Sequence, residues 1–240
     1  MGLTGSVEKN SAEKDHARRV RDMFARISPR YDLLNHLLSG NIDKRWRRKV
    51  VEQLRPLLAS GAQILDVACG TGDLSIALFE SLDAQVIGID FCRPMLELAA
   101  RKQPRLWFVE GDALRLPFDE AAFDAVTIAF GLRNLSSVED GLRELRRVLK
   151  PNGWVAVLEF SKPVIPGFRF LAGAYCNRLL PRIGGMVSGS RSAYQYLPES
   201  VSRFPDQEML KAMMVRAGFA DVRFTNLTGG LAALHAGRRV

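Results

Sequence analysis

This chain of 240 residues is poor in the residue types on which many catalytic centres are built. Its three cysteines, Cys69, Cys92 and Cys176, are odd in number and carry no C-x-x-C spacing. That pattern argues against a disulfide framework and against a cysteine zinc site. The three histidines, His16, His36 and His235, are isolated from one another, so a histidine metal triad or a His-based catalytic triad is not expected. No serine nucleophile elbow and no Walker lysine loop occurs. No apolar run approaches the roughly 18 residues of a membrane span. Met1 to Lys14 is polar and has no apolar signal core, so it is expected as a disordered tail (1–14) of a cytoplasmic protein. A single domain, 15–240, is expected to follow, with no internal repeat and no low-complexity tract.

Positive charge is what the chain has in excess, and it is unevenly placed. Twelve of its Lys and Arg residues lie between Lys14 and Arg55 against five Asp and Glu, so +7 of the formal +8 falls in the first quarter. The segment 15–60 reads as basic amphipathic helices: 16–27, 33–38 after the break at Pro29, and 45–58 with Trp46, Val50, Leu54 and Leu57 on one side. A basic cluster suggests an anionic membrane surface or nucleic acid, with an ordinary solvated helix face as the plain alternative.

From residue 63 the pattern alternates. Strands are expected at 63–68, 85–90, 106–110, 123–129 and 153–160, with helices at 73–82, 93–102 and 137–149 between them. Alternation of this kind predicts a doubly wound α/β fold with a mostly parallel sheet covered on both faces. A helix at 206–217 precedes two further apolar segments, 222–227 and 232–238, joined through Gly229-Gly230. They are expected to form a hairpin that adds an antiparallel strand at the sheet edge, making seven strands. Residues 161–204 interrupt the alternation with Pro163, Pro166, Pro181, Pro198 and the aromatics Phe168, Phe170, Tyr175, Tyr194 and Tyr196. An insertion above the strand ends suggests a substrate lid, although its aromatics could equally be core.

The first strand ends in Asp66-Val67-Ala68-Cys69-Gly70-Thr71-Gly72-Asp73. Glycines without a Cβ let a ligand approach the main chain, and the second strand ends at Asp90, placed to accept hydrogen bonds from ribose hydroxyls. An ordinary strand-to-helix turn is the bland reading of Gly70 and Gly72, and Asp90 weighs against it. The third glycine of a dinucleotide fingerprint is missing, since Ser75 stands there. Asp66 and Asp73 flank the turn and would repel a diphosphate, whereas S-adenosylmethionine carries a sulfonium and an ammonium that suit an acidic rim. Asp112 and Ala113, after the third strand, could meet an adenine amino group and ring nitrogen, with a loop cap as the alternative for Asp112. Arg133 and Asn134 follow the fourth strand, where ligands sit in such sheets. The Asn/Asp-Pro-Pro-aromatic turn of methylases acting on base amines is absent there, which counts against nucleic acid as substrate.

Further stretches carry a family resemblance: Tyr31-Asp32-x-x-Asn35-x-x-Leu38-Ser39 with Trp46, Phe130-Gly131-Leu132-Arg133-Asn134, and Arg147-Val148-Leu149-Lys150-Pro151-x-Gly153 closing with Glu159-Phe160-Ser161. The late Tyr194-x-Tyr196-Leu197-x-x-Ser200 run with Phe204-Pro205 adds to them. Over residues 18–238 the chain resembles the quinone-biosynthesis C-methyltransferases, the menaquinone/ubiquinone branch. It departs from them at Leu34, Asp43, Ala129 and Asn152. Ala129, where relatives often carry Ser, would lose one side-chain bond to the cofactor; Asp43 looks like the menaquinone-only branch. The resemblance implies the class I S-adenosylmethionine-dependent fold, cofactor contacts from Thr71, Asp90, Asp112 and Ala113, and no metal. It also implies conversion of demethylmenaquinol, an isoprenoid naphthoquinol, to menaquinol; ubiquinone C-methylation or phenol O-methylation stay as alternatives. Arg133 would stabilise the aryloxide by its charge, while Arg133, Asn134 and Tyr31 order a water that takes the proton; a plain salt-bridge partner for Arg133 and a packed helix residue for Tyr31 are the alternatives. The substrate's tail implies transient contact of the basic helices with an anionic membrane, peripheral at its inner face; a homodimer is left open.

Overall fold

The computed structural model describes residue 15 and residues 17–165 and 191–240. The expected tail, His16, Cys176 and most of the expected lid, including Phe168, Phe170 and Tyr175, lie outside the described residues, as does the side chain of Tyr194.

Seven strands form one sheet in the order β3-β2-β1-β4-β5-β7-β6. They are β1 (Ala62–Val67), β2 (Ala84–Asp90), β3 (Trp107–Glu110), β4 (Phe123–Ala129), β5 (Leu149–Phe160), β6 (Phe219–Leu227) and β7 (Ala232–Arg239). Strands β1 to β5 pair in parallel. The helices are α1 (17–27), α2 (Tyr31–Ser39), α3 (Ile42–Leu54), α4 (Asp73–Ser81), α5 (Arg93–Lys102), α6 (Val138–Val148), α7 (Arg191–Arg203) and α8 (Gln207–Arg216).

Two details differ from the sequence expectation. The antiparallel strand is β7, which inserts between β5 and β6 and pairs with both, so β6 and not β7 forms the edge. Strand β5 also begins four residues early, because its register with β4 shifts between Phe123 and Ala125 and absorbs the turn at Lys150-Pro151-Asn152.

Side-chain alternation along the strands divides the core into two layers. Leu65, Val67, Val126, Ile128, Val155 and Val157 face α6 and α8, packing on Leu142, Leu145 and Met214. Ile64, Ala125, Ala156 and Leu158 face the other way, onto Trp46, Val50 and Leu54 of α3 and Leu74 and Leu78 of α4. Each fully buried Leu contributes about 1.5–3 kcal/mol, which fixes both faces and thereby the strand ends on which the site stands. Helix α6 starts at Ser137, whose hydroxyl accepts from Asp140 N at 3.2 Å. Helix α1 buries Val20 and Ile27, seven residues apart, while Arg18, Arg19, Arg21, Arg26 and Arg30 are exposed. None of the described helices is long and apolar enough to cross a membrane.

Candidate active site

Strand order reverses between β1 and β4, and in open parallel sheets the crevice at such a switch point takes the ligand. Both strands end there in left-handed, non-glycine residues: Ala68 at φ 51° and Phe130 at φ 58°. Such backbone costs about 1–2 kcal/mol per residue and clusters at functional sites. Neither residue carries a sequence signal for it. Between them, a Cβ on Gly131 would lie 2.5 Å from Ala68 Cβ, so only glycine lets the two turns meet.

The glycine loop follows Ala68. Gly70 is left-handed (φ 56°) and a Cβ there would meet nothing within 4 Å, so the loop presents open space on that side. Gly72 (φ 82°) precedes α4, and a Cβ on it would touch Ala99 and Phe108 at 3.0 Å. Asp90 closes the cradle from β2. Its Oδ2 accepts from Gly70 N at 2.9 Å and its Oδ1 from Cys92 N at 2.8 Å. A carboxylate has about four acceptor positions, so two remain for a diol. Burial pushes the Asp90 carboxyl up to about 6, against the pull of its backbone N–H partners. Asp112 is exposed and heads a turn, with Oδ1 accepting from Leu114 N at 2.9 Å. The side chain of Ala113 joins the core, leaving its main chain to face a ligand. These groups fit an adenosine.

The acidic rim does not exist as expected. Asp66 lies beneath the loop, 1% exposed, accepting from Ser75 Oγ at 2.6 Å and Thr127 Oγ1 at 2.8 Å. Burial raises its carboxyl to about 6, partly offset by those two hydroxyls. Ser75 therefore stands in place of a third glycine because Asp66 needs its proton donor. Asp73 is already neutralised: Lys102 Nζ lies 2.7 Å, Arg47 Nη2 3.6 Å and His36 Nε2 3.7 Å from it. Among the described residues His36, Asp43 and Asp73 have ligand atoms within 4.8 Å of one another, the spacing of a metal site. The Arg47 guanidinium bridges both carboxylates, 2.5 Å from Asp43, and supplies the positive charge itself. Burial opposes ionisation of Asp43, yet Ser39, Arg47 and His36 together hold its carboxyl below the usual range.

Helix α2 is fastened onto this cradle. Asp32 accepts from Thr71 Oγ1 at 2.5 Å and pairs with Lys102 Nζ at 2.6 Å. Thr71, buried, thus spends its hydroxyl proton on α2, and its main chain and the acceptor side of its hydroxyl are what it can offer a cofactor. Tyr31 begins the same helix, its ring edge-on to Phe24 at 6.0 Å.

Across the crevice, Leu132–Asn134 forms a single 3-10 turn after β4. Arg133 is ion-paired. Its Nη1 lies 2.7 Å from Oε1 of Glu159, which is 1% exposed, and also donates to Phe130 O. Burial raises the Glu159 carboxyl above its ordinary value, with Arg133 and two backbone N–H groups pulling the other way. The pair carries little net charge, so Arg133 can act on a ligand chiefly as an oriented donor. Its Nε is buried and without a hydrogen-bond partner among the described residues. Asn134 Nδ2 donates to Phe130 O at 3.3 Å. Phe130 and Phe160 stack at 4.7 Å beside Trp46, with Arg47 over Phe130 at 5.8 Å and Arg133 over Phe160 at 5.2 Å. Trp46 was legible as a helix-face residue and within a stretch resembling the family, and Glu159 only within such a stretch.

Comparison with known proteins settles the family. The model of the ubiE/COQ5 methyltransferase family matches residues 11–239. The chain belongs to that family. Its relatives within the ubiE/COQ5 group include the demethylmenaquinone methyltransferase of Thermus thermophilus, 51% identical over 90% of this chain and 100% of that one. Another is the ubiquinone/menaquinone biosynthesis C-methyltransferase UbiE of Citrifermentans bemidjiense, 44% identical over 95% and 99%. The fold is shared more widely. A Thermotoga maritima structure described as an S-adenosylmethionine-dependent methyltransferase, possibly a histamine N-methyltransferase, superposes with a TM-score of 0.66 at 18% identity, over 91% of this chain and 99% of that one. The [4+2]-cyclase SpnF gives 0.67 at 19%, over 93% and 96%.

Proposed function

We propose that this ubiE/COQ5 methyltransferase transfers the methyl of S-adenosylmethionine to a ring carbon of demethylmenaquinol, giving menaquinol. The observation that carries the reading is the Nε of Arg133, buried and without a hydrogen-bond partner among the described residues, in the turn after β4 and across the switch point from the glycine cradle. Leaving a buried donor unmade costs about 1–3 kcal/mol, which a ligand oxygen placed there would recover.

When bound, the cofactor supplies an electrophilic methyl. The chain's part is to hold it and to make the ring carbon nucleophilic. Asp90 takes the ribose hydroxyls, and the loop from Gly70 to Gly72 lets the amino-acid portion lie against main chain. A phenolic hydroxyl ionises near pKa ~10, and lowering that by two units lowers the barrier by about 2.7 kcal/mol. Arg133 Nε supports this by donating to the developing aryloxide, and the Glu159 pair keeps the guanidinium oriented. A water held by Arg133, Asn134 and Tyr31 accepts the proton. Trp46, Phe130 and Phe160 give the naphthalene ring an apolar wall.

The basic helices extend the reading to the membrane. Exposed Arg26, Arg30, Lys44 and Arg48 share the amino-terminal helices with Leu33, an exposed apolar residue. Such a face suits transient docking on anionic lipid, where an isoprenoid substrate resides. Flotation with vesicles containing phosphatidylglycerol should show binding that fades with salt; binding indifferent to both lipid charge and salt would end this part.

The test of the reaction is an anaerobic assay with S-adenosylmethionine and a short-tailed demethylmenaquinol, read by mass spectrometry. A product one methyl heavier, labelled on the ring carbon, is expected. Methyl on oxygen, or no product despite cofactor binding, would overturn the assignment.

A further inference from the structure

Among the described side chains of α7, Tyr196 reaches the turn of Leu132–Asn134. Tyr196, half-buried, donates its phenol proton to Asn134 Oδ1 at 3.1 Å, bridging 62 positions of sequence. Asn134 donates through Nδ2 to Phe130 O, so Tyr196 specifies which end of the carboxamide faces which way. Burial raises the Tyr196 phenol above its ordinary value, with Arg133 and Arg203 opposing and Glu159 and Glu199 assisting, so it stays a neutral donor. The helix is suited to delivering this contact. Pro198 lies within α7 and removes a backbone hydrogen bond in the turn that contains Tyr196, which favours a bend there. Beyond it, Ser200 is buried, its carbonyl accepts from Phe204 N at 3.1 Å, and Phe204 joins the core. The carboxyl-terminal end of α7 is thus anchored, and Tyr196 stands one turn before the anchor.

We propose that Tyr196 is a positioning residue for methyl transfer. Its hydrogen bond holds the Asn134 carboxamide so that Arg133 and Asn134 together meet the hydroxyl of the ring being methylated. The inference rests on the quinol reading above and adds a residue to it. Without the Tyr196 proton, the Asn134 carboxamide loses one of the contacts that fix which end faces which way.

The test is Tyr196→Phe, Asn134→Ala and the double variant in the same quinol assay, with cofactor affinity and thermal midpoint measured alongside. The expected result for Tyr196→Phe is a roughly tenfold lower kcat, the scale of one hydrogen bond lost in the transition state. The KM for S-adenosylmethionine and the thermal midpoint should stay unchanged. The double variant should be no slower than Asn134→Ala alone, because Tyr196 acts through Asn134. Undiminished kcat in Tyr196→Phe, a loss of kcat that tracks a lowered midpoint, or losses that multiply in the double variant would each overturn the role. An inactive wild type would instead strike the quinol reading, so the two failures are separable.

Discussion

The cofactor cradle takes its groups from one continuous stretch, residues 64–113. The proposed acceptor side gathers Trp46, Phe130, Arg133, Phe160 and Tyr196 from α3, the turn after β4, β5 and α7. In the cradle a carboxylate is held by backbone N–H groups, as Asp90 is by Gly70, 20 positions away beyond β1, and by Cys92, two positions on. On the acceptor side a guanidinium is held by a carboxylate 26 positions away, as Arg133 is by Glu159. A backbone N–H donor survives a change of its own side chain; an ion pair is lost when either partner is replaced. The first half should therefore tolerate substitution at the cost of affinity, and the second at the cost of the fold itself.

The largest effect should come from Arg133→Ala. It strands Glu159 as a buried charge, so about 3–5 kcal/mol of stability should go, together with more than about a hundredfold in kcat. Arg133→Met combined with Glu159→Leu should restore most of the melting temperature and none of the turnover. If the double variant turned over normally, the acceptor side would be scaffold alone. Gly70→Ala probes the other half. The left-handed backbone costs about 1–2 kcal/mol with Ala, and the new methyl enters open space, so calorimetry should find cofactor affinity down by more than the stability change explains.

The cradle should also be sensitive to pH. The Asp90 carboxyl sits at about 6, so its ionised acceptor is present above that pH and lost as pH falls through it. Affinity for S-adenosylmethionine should be flat above pH 7 and should weaken by up to about tenfold per unit below 6. Asp90→Asn should bind more weakly and lose the slope; an unchanged slope would assign the titration to another group. The smallest effect belongs to Lys102→Ala, which frees Asp32 and Asp73 at the seam between α2 and the glycine loop. Part-exposed pairs of this kind contribute about 1 kcal/mol or less, and the loss should shrink in high salt.

The same division governs what the sequence discloses. The glycine loop, Asp90 and the alternating strands were legible because each is written within a few residues and repeats with a fixed period. The bond from Asp32 to Thr71 was not, because the residues stand 39 positions apart and either could have served a ligand alone. Nor was the neutralisation of Asp73, whose cations Arg47 and Lys102 come from α3 and α5. The left-handed turns at Ala68 and Phe130 left no trace, since neither residue is one that favours that conformation. Arg133 and Asn134 were placed by the strand-end rule, but Glu159 was hidden in an apolar strand as a charge whose partner only the sheet supplies.

The indole of Trp46 donates to Thr228 Oγ1 at 2.9 Å, across 182 residues. Thr228 belongs to the turn that joins β6 to β7, and β7 fills the place beside β5. During synthesis at about 5–20 residues per second, α3 is complete on the order of ten to forty seconds before its partner exists. Until then the aromatic wall lacks this anchor and β5 lacks a neighbour on one side. Chain termination anywhere before the last hairpin therefore removes the anchor of Trp46 and the neighbour of β5 together.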